Sequence, residues 1–239
     1  MTIRLHVGPL PAVGQALTLP GAAARHAQVR RVQPGDRLRV FDGQGREHEA
    51  QVQAMGRREV VLCLGPAVPA LAEPELSITL AVGVPANERM DTLVEKAVEL
   101  GAAAIQPLTC ERAVLRLEGE RAARRQAHWQ AVAVAACEQC GRARVPEVGS
   151  MQDLPGWLSG SVGAPVRLLL SLAADAPGLH QLPTPLGPVV VLSGPEGGLT
   201  SAEEARARAA GFRPVSLGPR VLRADTAPLA LLAGLLLRG

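Results

Sequence analysis

Two textures of apolar and polar positions divide the chain. Over residues 1–70 the apolar residues come in short runs that alternate with polar ones. Arg37 to Phe41 (RLRVF) reads as a strand and Asp42-Gly43-Gln44-Gly45 as a hairpin-type turn. Glu47 to Gln53 and Glu59 to Leu64 continue the alternation. Short strands separated by glycine-rich turns predict a small β-barrel over 1–70. Pro66, Pro69 and Pro74 then punctuate an expected linker, Gly65 to Glu75.

From residue 75 to 239 the texture changes. Leu76 to Val82 (LSITLAV) predicts a buried strand. Met90, Leu93, Val94, Ala97, Val98 and Leu100 recur at helical spacing before Gly101, a C-cap residue by type. Ala104 to Leu108 reads as a strand and Glu118 to Cys140 as a long helix. Val166 to Leu172 and Val189 to Leu192 are apolar runs of strand length. Thr200 with Glu203 forms a capping-box pattern for a helix Ser201 to Ala210, which Gly211 closes. Pro214 to Leu217 predicts a last strand. Asp225 or Thr226 is expected to cap a last helix with Pro228 in its first turn. Alternating strands and helices imply an α/β domain on a mostly parallel sheet covered on both faces.

Charge sharpens this division. Residues 1–70 carry nine arginines against five carboxylates, a net of +4, whereas the rest carries 16 bases against 17 acids, a net of −1. A basic front module on a near-neutral body suits a phosphate-rich partner. Arg25, His26, Arg30 and Arg31 are the candidate contacts to such a partner. With two Phe, two Trp and no Tyr, base stacking on aromatic rings is not expected. The longest apolar run, Ala227 to Leu237, falls short of the roughly 20 residues that cross a bilayer, and no basic-then-apolar leader opens the chain. A soluble cytoplasmic protein is the expectation. Cys137 and Cys140 form a C-x-x-C, but Cys63 and Cys110 stand alone, so reduced thiols and no metal are expected.

Candidate chemistry gathers in two loops that run from strand to helix: Ser193-Gly194-Pro195-Glu196-Gly197-Gly198, and Leu217 through Thr226 (LGPRVLRADT). Ligands of open α/β sheets bind outside the carboxyl ends of the strands. Glycine there lets backbone approach a ligand, so a Cβ branch at Gly197 is expected to abolish ligand binding and leave the fold largely intact. A P-loop and a dinucleotide fingerprint are both missing.

The segments LSGPEGGLTSAEE and LGPRVLRADTAPLALL resemble the end of the SPOUT methyltransferases. The likeness is greatest to the RsmE-type family, which methylates N3 of a uracil in bacterial small-subunit (16S) ribosomal RNA. RHAQVRRVQPGDRLRVFDGQG, EKAVELGAAAIQPLTCERAV and AACEQCGRARVPEV match the same family in order. The resemblance implies a PUA-like RNA-binding barrel, a deep C-terminal trefoil knot, a homodimer, and S-adenosylmethionine held in the knotted loops. It further implies a cofactor site from Leu170, Ser171, Leu192, Gly194, Pro195, Glu196, Gly197, Gly198, Leu217, Gly218, Val221, Leu222 and Arg223. Under that reading Arg223 or Arg142 is expected to stabilise the deprotonated uracil, and Asp225, Glu196 or Glu138 to take its proton. Leu199, Asp225 and Cys140 depart from the family, which commonly has Phe, Glu and Ser there. Two other readings remain: a SPOUT enzyme with another RNA target such as a ribose 2′-hydroxyl, and a non-catalytic RNA-binding module.

Overall fold

The computed structural model describes residues 2–56, 59–86, 89–160, 163, 165–183 and 185–237. Arg57 and Arg58, counted above among the basic residues, lie outside the described residues. The chain forms two compact units, one of residues 1–73 with 134–145 and one of 74–133 with 146–239.

The first unit contains β1 (Arg4–His6), β2 (Ala16–Thr18), α1 (Gly21–Val29), β3 (Arg37–Phe41), β4 (Glu47–Met55) and β5 (Val60–Val68). Its sheet runs in the order β1-β3-β4-β5-β2. Leu5 from one end of that order and Leu17 from the other pack into a shared core with Leu38, Val52, Leu62 and Ala27. The DGQG turn is fixed by Asp42, whose Oδ1 accepts from the N–H of Gln44 at 2.7 Å and of Arg46 at 3.0 Å. Such side-chain capture of the backbone is why Asp suits a turn.

Two expectations need correction here. Residues 21–29 are a helix rather than part of a strand series. Its buried stripe is built from alanines, Ala23, Ala24 and Ala27, too weak a periodic signal beside the stronger strand patterns. The linker expected from Gly65 is also wrong, because β5 continues to Val68. The β4–β5 register slips between His48 and Ala50. This bulge carries the strand past Gly65 and Pro66, a place where a missing N–H is tolerated.

The second unit comprises β6 (Ile78–Gly83), α2 (Arg89–Leu100), β7 (Ala104–Thr109), α3 (Gly119–Cys140), β8 (Glu147–Val148), β9 (Gln152–Asp153), α4 (Leu154–Ser159), β10 (Val166–Leu170), β11 (Val189–Ser193), α5 (Ser201–Ala209), β12 (Arg213–Val215) and α6 (Thr226–Leu236). The end of α3, from Val134, belongs to the first unit. Among the described residues the sheet has the order β12-β10-β11-β6-β7-β8, with β9 also beside β7. Every pairing in it is parallel. Burial on both faces explains the unbroken apolar runs. Ala81, Leu169, Val190 and Leu192 pack with Leu154 of α4 and Ala207 of α5. Side chains alternate across a strand. Their neighbours Leu80, Leu168 and Val191 therefore face the other way, the side on which α6 meets β6, β11 and α2.

Several helix ends obey the chemistry of their sequence, and the start of α6 is an exception. Thr200 Oγ1 accepts from Glu203 N–H and Glu203 Oε2 from Thr200 N–H, the reciprocal capping box. Gly101 and Gly211 hold φ of +99° and +87° just past their helices, which leaves glycine as the unstrained choice. The exception is Asp225. It stands at the start of α6 with helical φ and ψ and makes no capping hydrogen bond. The carbonyl of Arg223 accepts from Thr226 and Ala227 N–H instead, so the expected side-chain cap is corrected.

The connection from β10 to β11 runs beside the continuation of β12. Ser216 N–H donates to Pro177 O, and Leu179 N–H donates to Ser216 O.

Candidate active site

Parallel pairing brings three loops to one edge. Leu170 of β10 lies beside Val215 of β12, and Leu169 beside Leu192 of β11. Three neighbouring strands thus end within a residue or two of one another. The segments that leave them, after Leu170, Ser193 and Val215, enclose a cavity of about 550 Å³. That is a volume typical of small-molecule sites.

Of the expected cofactor residues, Leu170, Ser171, Gly194, Pro195, Glu196, Gly197, Gly198, Leu217, Gly218, Val221, Leu222 and Arg223 line this cavity. Leu192 does not; it is fully buried in the core beneath. Strand alternation turns it toward α5 and leaves Ser193 at the lip. Val221 and Leu172 present largely exposed apolar side chains at the wall.

The GPEGG loop is tied down from both flanks. Arg112, just past β7, donates from Nη1 to the carbonyls of Gly197 (3.1 Å) and Leu199 (3.4 Å). Glu196 Oε1 accepts from Ala86 N–H at 2.9 Å and pairs with Arg89 at 3.1 Å. The carboxylate named above as a possible proton acceptor is therefore engaged in holding the loop. Glu203 adds a third tie, since its Oε1 accepts from Glu111 N–H at 2.8 Å while the same side chain caps α5.

Glycine is required inside the loop for contact rather than for dihedral reasons at Gly194. A Cβ there would lie 2.9 Å from Leu199 N and 3.0 Å from Gly198 C, so the loop folds back on itself only without a side chain. A Cβ at Gly197 would meet Arg112 Cβ at 2.9 Å. A branch there therefore also displaces the arginine holding the loop.

Arg223 and Arg220 line the cavity, and among the described residues neither guanidinium has an ion-pair partner. Asp225, two residues on, is not among the residues lining the cavity, and its Oδ1 is buried with no hydrogen-bond partner among the described residues. A buried carboxylate oxygen without a donor is costly unless a ligand or substrate supplies one. Sequence reasoning missed Arg89, Arg112 and Glu204 at this cavity. Arg112 was findable, because it follows the carboxyl end of a parallel strand as the other loops do.

Glu138 and Arg142 have partners in the first unit. Glu138 accepts from His6 N–H at 2.9 Å and from the His26 ring at 2.8 Å, and Arg142 is ion-paired with Glu73. Arg25, Arg30 and Arg31 are exposed on or just after α1. All four cysteines are free. Burial pushes the thiol of Cys137 up to about 12. Burial, with the charge of Glu203, does the same for Cys110. No group of three or more metal-ligating side chains occurs among the described residues, and none of their helices is long and apolar enough to cross a membrane.

A layered parallel sheet with three loops closing on one cavity defines an α/β protein that binds a small ligand at strand ends, here joined to a basic barrel-like unit. Residues 72–236 match the model of an RNA methyltransferase domain, and residues 19–62 that of an RNA methyltransferase PUA domain. The chain belongs to the RNA methyltransferases of the ribosomal RNA small subunit methyltransferase E family. The protein of that name from Synechocystis is 34% identical over 98% of this chain and 77% of its own length. Its Bacillus subtilis namesake is 29% identical over 93% and 92%. The Neisseria gonorrhoeae namesake, crystallised with S-adenosyl methionine bound, superposes with a TM-score of 0.93 at 38% identity, covering 98% of this chain and 96% of that one. A Legionella pneumophila structure, also solved with the cofactor bound, gives 0.94 at 32% identity and coverage of 98% and 97%.

Proposed function

We propose that the protein transfers a methyl group from S-adenosylmethionine to N3 of one uracil, position 1498 in the family, of small-subunit ribosomal RNA. One observation carries the reading: the cavity closed by Gly194–Gly198 and Leu217–Arg223. The residues present fit the cofactor. Leu170, Leu217, Val221 and Leu222 offer apolar faces to an adenine, and the loop backbones offer polar groups without intervening side chains. When bound, S-adenosylmethionine supplies an electrophilic methyl on a sulfonium.

The chain's own residues do the rest. Glu196, Arg89 and Arg112 hold the GPEGG loop in its closed shape, so the ligand cavity is formed in advance. Preorganised positioning of two reactants removes much of a barrier. Asp225 Oδ1 receives the proton of uracil N3, which fills its vacant acceptor position. Arg223 stabilises the negative charge that develops on the ring oxygens. N3 lies on the pairing edge, so the target base must be unpaired or flipped out. The first unit binds RNA through Arg25, His26, Arg30 and Arg31, and Glu138 and Arg142 serve that unit. The same reading includes a homodimer and a trefoil knot in which the β10–β11 connection crosses the path from β12 to α6. The backbone pairing of Ser216 with Pro177 and Leu179 supports that crossing.

The test is incubation with labelled S-adenosylmethionine and undermodified small subunits, followed by nucleoside mass spectrometry. Label on N3 of a uracil is the expected result. Label on a ribose, or only on free tRNA, overturns the substrate. A protein that shows no cofactor binding by calorimetry is instead a non-catalytic RNA-binding module.

A further inference from the structure

Two of the candidate RNA-binding residues, His26 on α1 and Arg30 just after it, are joined to α3 by a chain of side chains. His26 Nδ1 lies 2.8 Å from Glu138 Oε2, and Arg30 Nε lies 3.4 Å from His26 Nε2. An ionised carboxylate only accepts hydrogen bonds, and a guanidinium only donates them. Within this chain Nδ1 is therefore the donor to Glu138 and Nε2 the acceptor from Arg30. Glu138 is itself held from behind by His6 N–H, which donates to Oε1 at 2.9 Å. The glutamate is nearly buried, with 11% of its side chain exposed, against 31% for His26. Arg30, at the far end, is exposed. His26 engages its Nε, and a guanidinium has two further nitrogens able to grip a phosphate as a fork. The next residue, Arg31, holds a left-handed backbone at φ +56°, rare for a side chain of its size. It is kept there by hydrogen bonds from Arg31 N–H to Gln28 O and from Val32 N–H to Ala27 O.

We infer that Glu138 is a positioning residue for RNA, acting through His26 to hold Arg30 as a preoriented phosphate clamp. A free arginine must lose rotamer freedom when it grips a phosphate, and this chain restricts it beforehand. The inference rests on the reading of α1 as an RNA-binding surface.

The experiment measures binding of a fluorescent transcript of small-subunit ribosomal RNA by anisotropy, across a salt series. The variants are Glu138→Gln, His26→Ala, Arg30→Ala, and Glu138→Gln combined with Arg30→Ala. Arg30→Ala is expected to weaken binding roughly three- to tenfold at low salt and to flatten the salt dependence by about one phosphate contact. Glu138→Gln and His26→Ala should each lose a similar part of that affinity. In the double variant Glu138→Gln should add almost nothing, since its effect passes through Arg30. Unchanged affinity in Glu138→Gln, or losses that multiply in the double variant, overturns the inference. If Glu138→Gln fails to fold, as judged by its melting curve and by binding of S-adenosylmethionine, the His26→Ala and Arg30→Ala pair gives the same cycle. A parent-like affinity for Arg30→Ala combined with Arg31→Ala overturns the RNA-binding reading itself. That outcome is distinct from loss in the arginine variants with none in Glu138→Gln or His26→Ala.

Discussion

Gly194→Ala tests how the loop at the heart of the site is built. The added Cβ would stand 2.9 Å from Leu199 N, 3.0 Å from Gly198 C and 3.2 Å from Gly198 Cα. Ordinary carbon contacts begin near 3.4 Å, so the facing backbone must retreat by about 0.5 Å. All three neighbours are main chain, and that main chain is tied to Arg112 through the Gly197 and Leu199 carbonyls. No side chain can rotate out of the way. Overpacking of this kind costs on the order of 1–3 kcal/mol. If the deformation falls on the cavity wall, S-adenosylmethionine affinity drops at least about tenfold, the equivalent of roughly 1.4 kcal/mol. Titration calorimetry reads that loss, and thermal unfolding shows the melting temperature down by roughly 2–12 °C. Gly21→Ala is the control, because a Cβ there meets nothing within 4 Å. Cofactor affinity within twofold of the parent in Gly194→Ala would refute the idea that this loop encloses the ligand.

Three other outcomes follow from the structure. Asp225→Asn should lower methyl transfer by about 10²- to 10⁴-fold while cofactor affinity stays near that of the parent, measured by single-turnover labelling beside calorimetry. A variant with undiminished turnover would exclude Asp225 as the proton acceptor. Cys110 and Cys137, whose thiols burial raises to about 12, should resist a thiol reagent at pH 8, while the partly exposed Cys63 and Cys140 react. Four equivalents labelled rapidly in the folded protein would contradict this burial. Burial tends to raise the Asp42 carboxyl, but hydrogen bonds from the Arg46 side chain and from Gln44 and Arg46 N–H outweigh it and hold it below its ordinary 3.8. A depressed carboxylate stabilises the fold above its unfolded value and loses that contribution as pH falls through the folded one. Asp42→Asn should therefore destabilise at neutral pH, with the gap to the parent narrowing below about pH 3.8 in urea titrations. A gap that is constant with pH would mean the charge plays no part.

How much of this was legible before folding depended on the range of the interaction. The capping box at Thr200 and Glu203, the glycine stops at Gly101 and Gly211, the DGQG turn and the apolar strands are all local or periodic, and the sequence states them directly. The order of the strands is not local. Only the parallel pairing of β10 with both β11 and β12 brings Ser171, Gly194 and Gly218 to one edge, and family resemblance rather than spacing anticipated that convergence. Helix α1 escaped because alanine contributes little to a periodic pattern. The roles of single polar side chains were least legible. Glu196, Glu138 and Arg142 each resembled a catalytic group by type, yet a carboxylate or guanidinium takes its role from the donors and acceptors around it. The fold supplies Arg89 and Ala86 N–H to the first, His26 and His6 N–H to the second, and Glu73 to the third. Among the described residues it leaves Asp225 Oδ1 without any. Elements were thus set by neighbours along the chain, whereas charge pairing was decided by tertiary neighbours, because an ion pair depends on distance in space and not on separation in sequence.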